Sequence, residues 1–460
     1  MLPHTIMAST SPFKNDETLR FSAVGDEPVP GSGWIRSAPF ALAVPSRLIP
    51  VACSFADQAL AVGSTFLANV MLARTESKQQ YGVFALSYSV FTFLSGLHNS
   101  AVLEPCTVYG SGRYQSRFSS YLRLMMRVNA LVGLLLMSLV LLVYVALYWM
   151  APQYLSGALL GLGVTVGTLL SGAFLRRAFY LQRQPEFAVR ASLICFVTVA
   201  CGLWVAARTQ MLNGFSVFVI LALGWVAAGL GLRQKLMLGD SEQPFLDLAP
   251  RYWWEHWNYS KWVFLTALVF QLTSQGYYWL AAGFVSFEQV AELRVMSMLI
   301  APVDQAFIAL SYLVVPALAS RYASGRREEF LSLSMRYGLL ILGTTGVFAF
   351  AVRLLGRALL HGLYAGKFDG VAPLLSLLAF SPVLMGVGNA ASCALSAVEK
   401  PRLVFLAYVC SGVATIAGGI PLVIHFGLAG AVYGMLLSAA TYSAALVSGF
   451  YQAIYRNTEK

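Results

Sequence analysis

About twelve stretches of roughly 20 mainly apolar residues follow one another between Leu48 and Tyr451, and nothing else in this chain restricts its fold so severely. They lie at 48–73, 81–108, 128–149, 154–175, 187–207, 214–232, 261–283, 291–318, 335–356, 371–397, 402–424 and 428–451. Each is long enough for a helix to cross a bilayer, and none shows the ten-residue alternation of an outer-membrane barrel strand. Charged residues make up 11% of the chain and hydrophobic ones 58%, with a mean hydropathy of +0.68. A soluble domain carries roughly 25% charged residues, so this chain cannot cover a water-facing surface of its size. The expected fold class is all-α, a polytopic membrane protein with about 12 transmembrane helices.

The formal net charge is +11. In a soluble protein that surplus would suggest nucleic acid, which is not an expected partner here, because the position of each Lys and Arg matters more than their sum. With a cytoplasmic amino terminus, the inner loops and tails hold about 24 Lys and Arg and the outer loops about 7. The outer ones are Arg74, Lys78, Arg208, Arg294, Arg353, Arg357 and Lys367. This bias predicts that both termini are cytoplasmic. Residues 1–47 are polar and rich in Pro and Gly, lack the layout of a cleavable signal, and are expected to form a disordered cytoplasmic tail. Residues 453–460 form a second tail. Between the expected helical bundles 48–232 and 261–452 lies a cytoplasmic linker, 233–260, whose Trp253, Trp254 and Trp257 suit a helix at headgroup level. Sugar stacking on Trp253 or Trp257 is the alternative.

One passage occurs twice. Gly112-Arg113-Tyr114, Tyr121-Leu122 and Met126-Arg127 return as Ser320-Arg321-Tyr322, Phe330-Leu331 and Met335-Arg336. Pro105 and Pro316 close the second and eighth spans, and Gln184-Pro185 is answered by Lys400-Pro401. Internal repeats are a building rule of transporters. Six spans per half leave the two halves parallel, so the chain is expected to form two parallel six-helix bundles with a seam between them.

Enzyme signatures are missing. The sequence has no His-Glu-x-x-His, no Gly-x-x-x-x-Gly-Lys and no Gly-x-Ser-x-Gly, and the five histidines are scattered. No cofactor is expected. The six cysteines lie in or beside apolar segments without metal-ligand spacing, so neither disulfides nor a metal site is expected. What remains is polarity inside the spans, where a charge at the bilayer centre costs roughly 2.5–3.5 kcal/mol and generally faces a cavity. Asp57, Glu104 and Asp304 are the candidate ion-coupling carboxylates. Gln271, Gln275 and Asn389 either line a cavity or bond neighbouring helices. Arg113, Arg176, Arg177, Arg321 and Arg336 sit close enough to span ends to reach an anionic group inside, and Arg294 shares a helical face with Asp304.

Asp57-Gln58-Ala-Leu through Ala73-Arg74, then Tyr81-Gly82-Val-Phe-Ala-Leu, resembles the first two spans of bacterial polysaccharide exporters and O-antigen flippases. These belong to the multidrug/oligosaccharidyl-lipid/polysaccharide exporter superfamily. Leu293-Arg294, Ala301-Pro302, Pro316 and Gly427-Leu-Ala-Gly430 extend the resemblance over roughly residues 48–452. Where span seven often carries an acidic residue in that family, this chain reads Gln275-Gly276-Tyr277-Tyr278. The resemblance implies two bundles around a central polar cavity in the bacterial inner membrane, working by alternating access. The implied substrate is a lipid-linked oligosaccharide, joined through pyrophosphate to a polyprenyl tail. Membrane lipids, a polysaccharide polymerase and export machinery are the implied partners. Arginine suits a pyrophosphate because it binds oxyanions bidentately. The alternatives are a drug/cation antiporter of the same superfamily and a membrane glycosyltransferase or polymerase.

Overall fold

The computed structural model describes residues 49–111, 114–148, 150, 153–236 and 249–454. Among them every regular element is helical: α1 (Ile49–Thr75), α2 (Lys78–His98), α3 (Glu104–Ser111), α4 (Phe118–Tyr148), α5 (Gln153–Leu181), α6 (Pro185–Arg208), α7 (Gly214–Leu232), α8 (Ala249–Phe284), α9 (Phe287–Ala323), α10 (Arg327–Tyr364), α11 (Ala372–Leu378), α12 (Ser381–Ala397), α13 (Pro401–Ala414) and α14 (Ile420–Ile454). The π-helical turn Asn99–Leu103 joins α2 to α3, and Thr415–Gly419 joins α13 to α14. The break between α11 and α12 falls just before Pro382, which lacks the N–H a continuous helix would need. At Gly427 (φ 56°, ψ −129°) α14 turns through a conformation open only to glycine, and this kink separates the expected eleventh and twelfth spans.

Nine helical stretches among the described residues are long and apolar enough to cross a membrane, and the last, Pro401–Ile454, takes in two expected spans. The α2–α3 rod and α8 account for the others. They are less apolar because they turn His98 and Gln271 toward other helices instead of lipid. The helices also outrun the hydropathy. α4 begins at Phe118 where the apolar stretch begins at 128, because Arg123 and Arg127 interrupt the hydropathy without breaking the helix. In the same way α8 runs from Ala249, so residues 249–260 continue the seventh span as one helix.

The molecule is a bilayer solute by surface as well as by length. α4 exposes Leu131, Leu134, Leu135, Leu139 and Leu142, and α10 exposes Val347, Phe350 and Leu354. Apolar faces of that extent require lipid. Inside, α1 packs on α6, α4 on α5, and α7 on both α5 and α6, while α12 packs on α9, α10 and α14. Between these two groups α2 lies against both α8 and α9, and the described residues form one compact unit.

The repeated sequence has matching structure. Arg183 (φ 57°) and Glu399 (φ 58°) each take the left-handed conformation immediately before the Gln184-Pro185 and Lys400-Pro401 pairs. In the first turn Gln184 N–H donates to Phe179 O (2.9 Å), and in the second Lys400 N–H donates to Leu395 O (3.0 Å). Both turns thus close the preceding helix with the same six-residue hydrogen bond. Tyr114 stacks on Tyr121 at 4.7 Å, and its counterpart Tyr322 meets Phe330 at 5.6 Å.

Candidate functional site

One side of the seam is closed along its depth. Trp279 Nε1 of α8 donates to Ser89 Oγ of α2 (2.9 Å), and Trp279 also meets Phe93 edge-on at 5.2 Å. Further along, Gln271 lies against Gly96, Ser260 Oγ reaches Ala101 O (3.4 Å), and His256 Nε2 is 3.2 Å from the Tyr121 hydroxyl. On the other side α1 reaches α9 through Asn69, whose Oδ1 accepts from Arg294 Nε (3.2 Å). Phe55 and Gln58 toward the start of α1, and Asp304 and Gln305 in the middle of α9, are exposed.

Asp57 is fully buried and saturated. It accepts from Arg176 Nε (2.8 Å) and Nη2 (2.7 Å), from Tyr180 OH (2.9 Å) and from Ser192 Oγ (2.5 Å). Arg176 and Tyr180 stand one turn apart on α5, while Ser192 comes from α6, so the carboxylate ties three helices together. The structure therefore pairs a candidate coupling residue with a candidate anion-binding residue. Neither Tyr180 nor Ser192 was suggested by the sequence; the i, i+4 spacing of Tyr180 from Arg176 is the one signal that could have pointed to it. Glu104 is half-buried and accepts from Asn99 Nδ2 (3.0 Å), and the Asn99 carbonyl oxygen accepts from Arg177 Nη2 (3.3 Å). Asp304 has no hydrogen-bond or ion-pair partner among the described residues.

Arg294 is 9% exposed, and no carboxylate pairs with it among the described residues. Its guanidinium lies 4.3 Å from the centre of the Tyr88 ring, and the Asn69 oxygen it bonds also accepts from Tyr81 OH (3.2 Å). Asn69, Tyr81 and Tyr88 belong to the first half and Arg294 to the second, so the charge bridges the seam. The carbonyl oxygens of Gln271 and Gln275 are buried without a hydrogen-bond partner among the described residues. Arg321 and Arg336 line one groove with Glu328, Glu329, Ser332 and Leu333, and Arg321 Nε lies 3.7 Å from Glu329. Arg113 lies outside the described residues.

Asn389 takes part in a network that has a counterpart in the other half. It accepts from Tyr337 OH (2.9 Å) and lies 3.4 Å from Ser311 Oγ, which links α9, α10 and α12. In the first half His98 Nε2 meets Asn129 Oδ1 (2.8 Å), and Asn129 Nδ2 donates to Ser171 Oγ (3.1 Å), which links α2, α4 and α5. These are spans two, three and four in one half and eight, nine and ten in the other. No group of three or more His, Cys, Asp and Glu able to hold a metal is found among the described residues.

No family model matches the sequence, and no curated protein is significantly similar to it. Solved structures do share its fold. An inward-facing multidrug resistance MATE family transporter of the MOP superfamily superposes with a TM-score of 0.75 at 8% identity, over 89% of this chain and 99% of its own. The lipid II flippase MurJ in an inward closed conformation gives 0.68 at 12%, over 90% and 91%. An outward-facing MATE family transporter of the same superfamily gives 0.59 at 10%, over 89% and 96%. The chain thus has the fold of the MOP superfamily transporters.

Proposed function

We propose that this protein flips a polyprenyl-pyrophosphate-linked oligosaccharide across the bacterial inner membrane by alternating access. The observation that carries the reading is the unequal seam. α2 is bonded to α8 along its depth, whereas α1 and α9 meet at Asn69–Arg294 and expose polar side chains beyond it. A solute with a long lipid tail needs such a side opening, because its headgroup can enter protein while the tail stays in hydrocarbon. Arg177, Arg294, Arg321 and Arg336 supply donors for the pyrophosphate, while Gln271 and Gln275, whose amide oxygens are unpartnered among the described residues, supply amides for the sugars. Polysaccharide polymerase and export machinery would then act on the product at the outer face. Deleting the gene should leave lipid-linked oligosaccharide on the cytoplasmic leaflet and lower secreted polysaccharide, and unchanged export would refute the reading.

A drug/cation antiporter is the second reading, favoured by the fold shared with the MATE family transporter. It would place ion coupling on Asp304, which is exposed and unpaired among the described residues, ahead of Asp57, whose oxygens already have four donors. Asp304→Asn should then abolish drug resistance and leave polysaccharide intact.

A further inference from the structure

The two halves are joined by a cluster of cationic contacts at the end of the seam that the charge distribution assigns to the outside. Lys78, at the start of α2, places Nζ 2.7 Å from Glu292 Oε1 on α9. Lys367, in the turn after α10, donates Nζ to three main-chain oxygens: Ala73 (2.8 Å), Arg74 (3.1 Å) and Glu76 (2.5 Å). These carbonyls lie at and just beyond the last turn of α1, where a helix leaves its acceptors unsatisfied and carries the negative end of its dipole. Lys367 is therefore a C-terminal helix cap delivered from the opposite half of the molecule.

The surroundings of both lysines are packed. Lys78 Nζ lies 5.3 Å from the centre of the Phe368 ring, which meets Tyr81 edge-on at 6.2 Å. Gly82 lets α2 approach the Phe287 backbone, and a Cβ at that position would run into the Phe287 carbonyl. Burial pushes the Glu76 carboxyl up despite the nearby Lys367 charge, and it pushes the Lys367 ammonium down. Water is partly excluded from the joint, which strengthens each charge-assisted bond within it.

We propose that Lys367 and Lys78 form a two-point latch holding the outer ends of the halves together, and that both must let go before the seam opens outward. The two points run in opposite directions. Lys78 belongs to the first half and its acceptor to the second, whereas Lys367 belongs to the second and its acceptors to the first. Their chemistry also differs. The Lys78–Glu292 point is a side-chain ion pair whose charges can be exchanged, but the Lys367 point ends on backbone, so no substitution in α1 can restore it once the ammonium is lost. The inference rests on the alternating-access part of the proposed function and is independent of the cargo.

Spin labels at Gln80 and Glu288, both exposed and on opposite sides of the joint, would report its opening by double electron–electron resonance on the purified protein without substrate. The unsubstituted latch should give a predominantly short distance. Lys367→Met and Lys78→Glu should each raise the ratio of open to closed forms about tenfold, roughly the net worth of one charge-assisted hydrogen bond. Combining Lys78→Glu with Glu292→Lys should return the short distance, and Lys367→Arg should retain it. Unchanged distances in both single variants would overturn the latch, as would lengthening that the charge exchange fails to reverse. If Lys367→Met does not fold, the Lys78 and Glu292 variants decide the matter alone. Because no substrate is present, an error about the cargo leaves this readout untouched.

Discussion

Replacing Arg176 by Met is the sharpest test of how the first half is held together. The substitution keeps an unbranched apolar stem but removes both guanidinium hydrogen bonds to Asp57, at 2.8 and 2.7 Å. Asp57 is 0% exposed, and of its protein donors the carboxylate keeps only Tyr180 and Ser192. Breaking one side of a buried ion pair costs about 3–5 kcal/mol, because the other charge stays behind unpaired. Removing both charges with Arg176→Met and Asp57→Leu should be far milder, since a well-packed apolar pair can replace a buried ionic one. The double variant should therefore be more stable than Arg176→Met alone, with a coupling energy of about 2–3 kcal/mol in the double-mutant cycle. Unfolding of the purified protein in detergent, followed by tryptophan fluorescence across a denaturant series, would measure all four corners. Additive effects, or a single variant as stable as the parent, would refute the assignment of Asp57 and Arg176 as a closed structural pair.

Other expectations follow from the same geometry. Tyr337→Phe removes the 2.9 Å bond to Asn389 and should lower stability by about 1 kcal/mol, with a similar loss for Asn389→Leu and no further loss when the two are combined. Arg321→Ala should weaken binding of a lipid-linked substrate more than Arg326→Ala, since Arg326 is an exposed partner of Glu329 at 3.1 Å; equal effects in a binding assay would confine both arginines to setting topology. Gly82→Leu should force α2 away from α9 and lengthen the distance between labels at Gln80 and Glu288, and an unchanged distance would show that the close approach to Phe287 is not needed for closure.

The helical spans were legible because hydropathy reports contact with lipid directly, and most of these helices present a face to lipid. The segments expected as the second and seventh spans are helical in α2 and α8, although neither is among the nine stretches long and apolar enough to cross a membrane, because polar residues dilute their hydropathy. Boundaries were less legible. The ends of α4, α8 and α10 extend beyond the apolar stretches on charged or aromatic residues that are compatible with helix, and hydropathy does not register where a helix stops. The site was legible as a set of polar residues in spans but not as a set of partners. Nothing in the local sequence around Asp57 indicates that Arg176, 119 residues away, closes on it. Lys78 and Lys367 carried too little local signal to be singled out, because each acquires its meaning from an element of the opposite half.

The matched polar networks of the two halves have a mechanical consequence. His98–Asn129–Ser171 and Ser311–Tyr337–Asn389 each staple three consecutive spans across their apolar packing. Sliding any of those helices would leave buried polar atoms unpaired, at about 1–3 kcal/mol each. Each half is thereby stiffened from within, and compliance is concentrated where polar bonds cross between halves or where the backbone already departs from a straight helix, as at Gly427. Each bundle then moves as a nearly rigid body, so that a large displacement of one half against the other needs few polar bonds broken inside either.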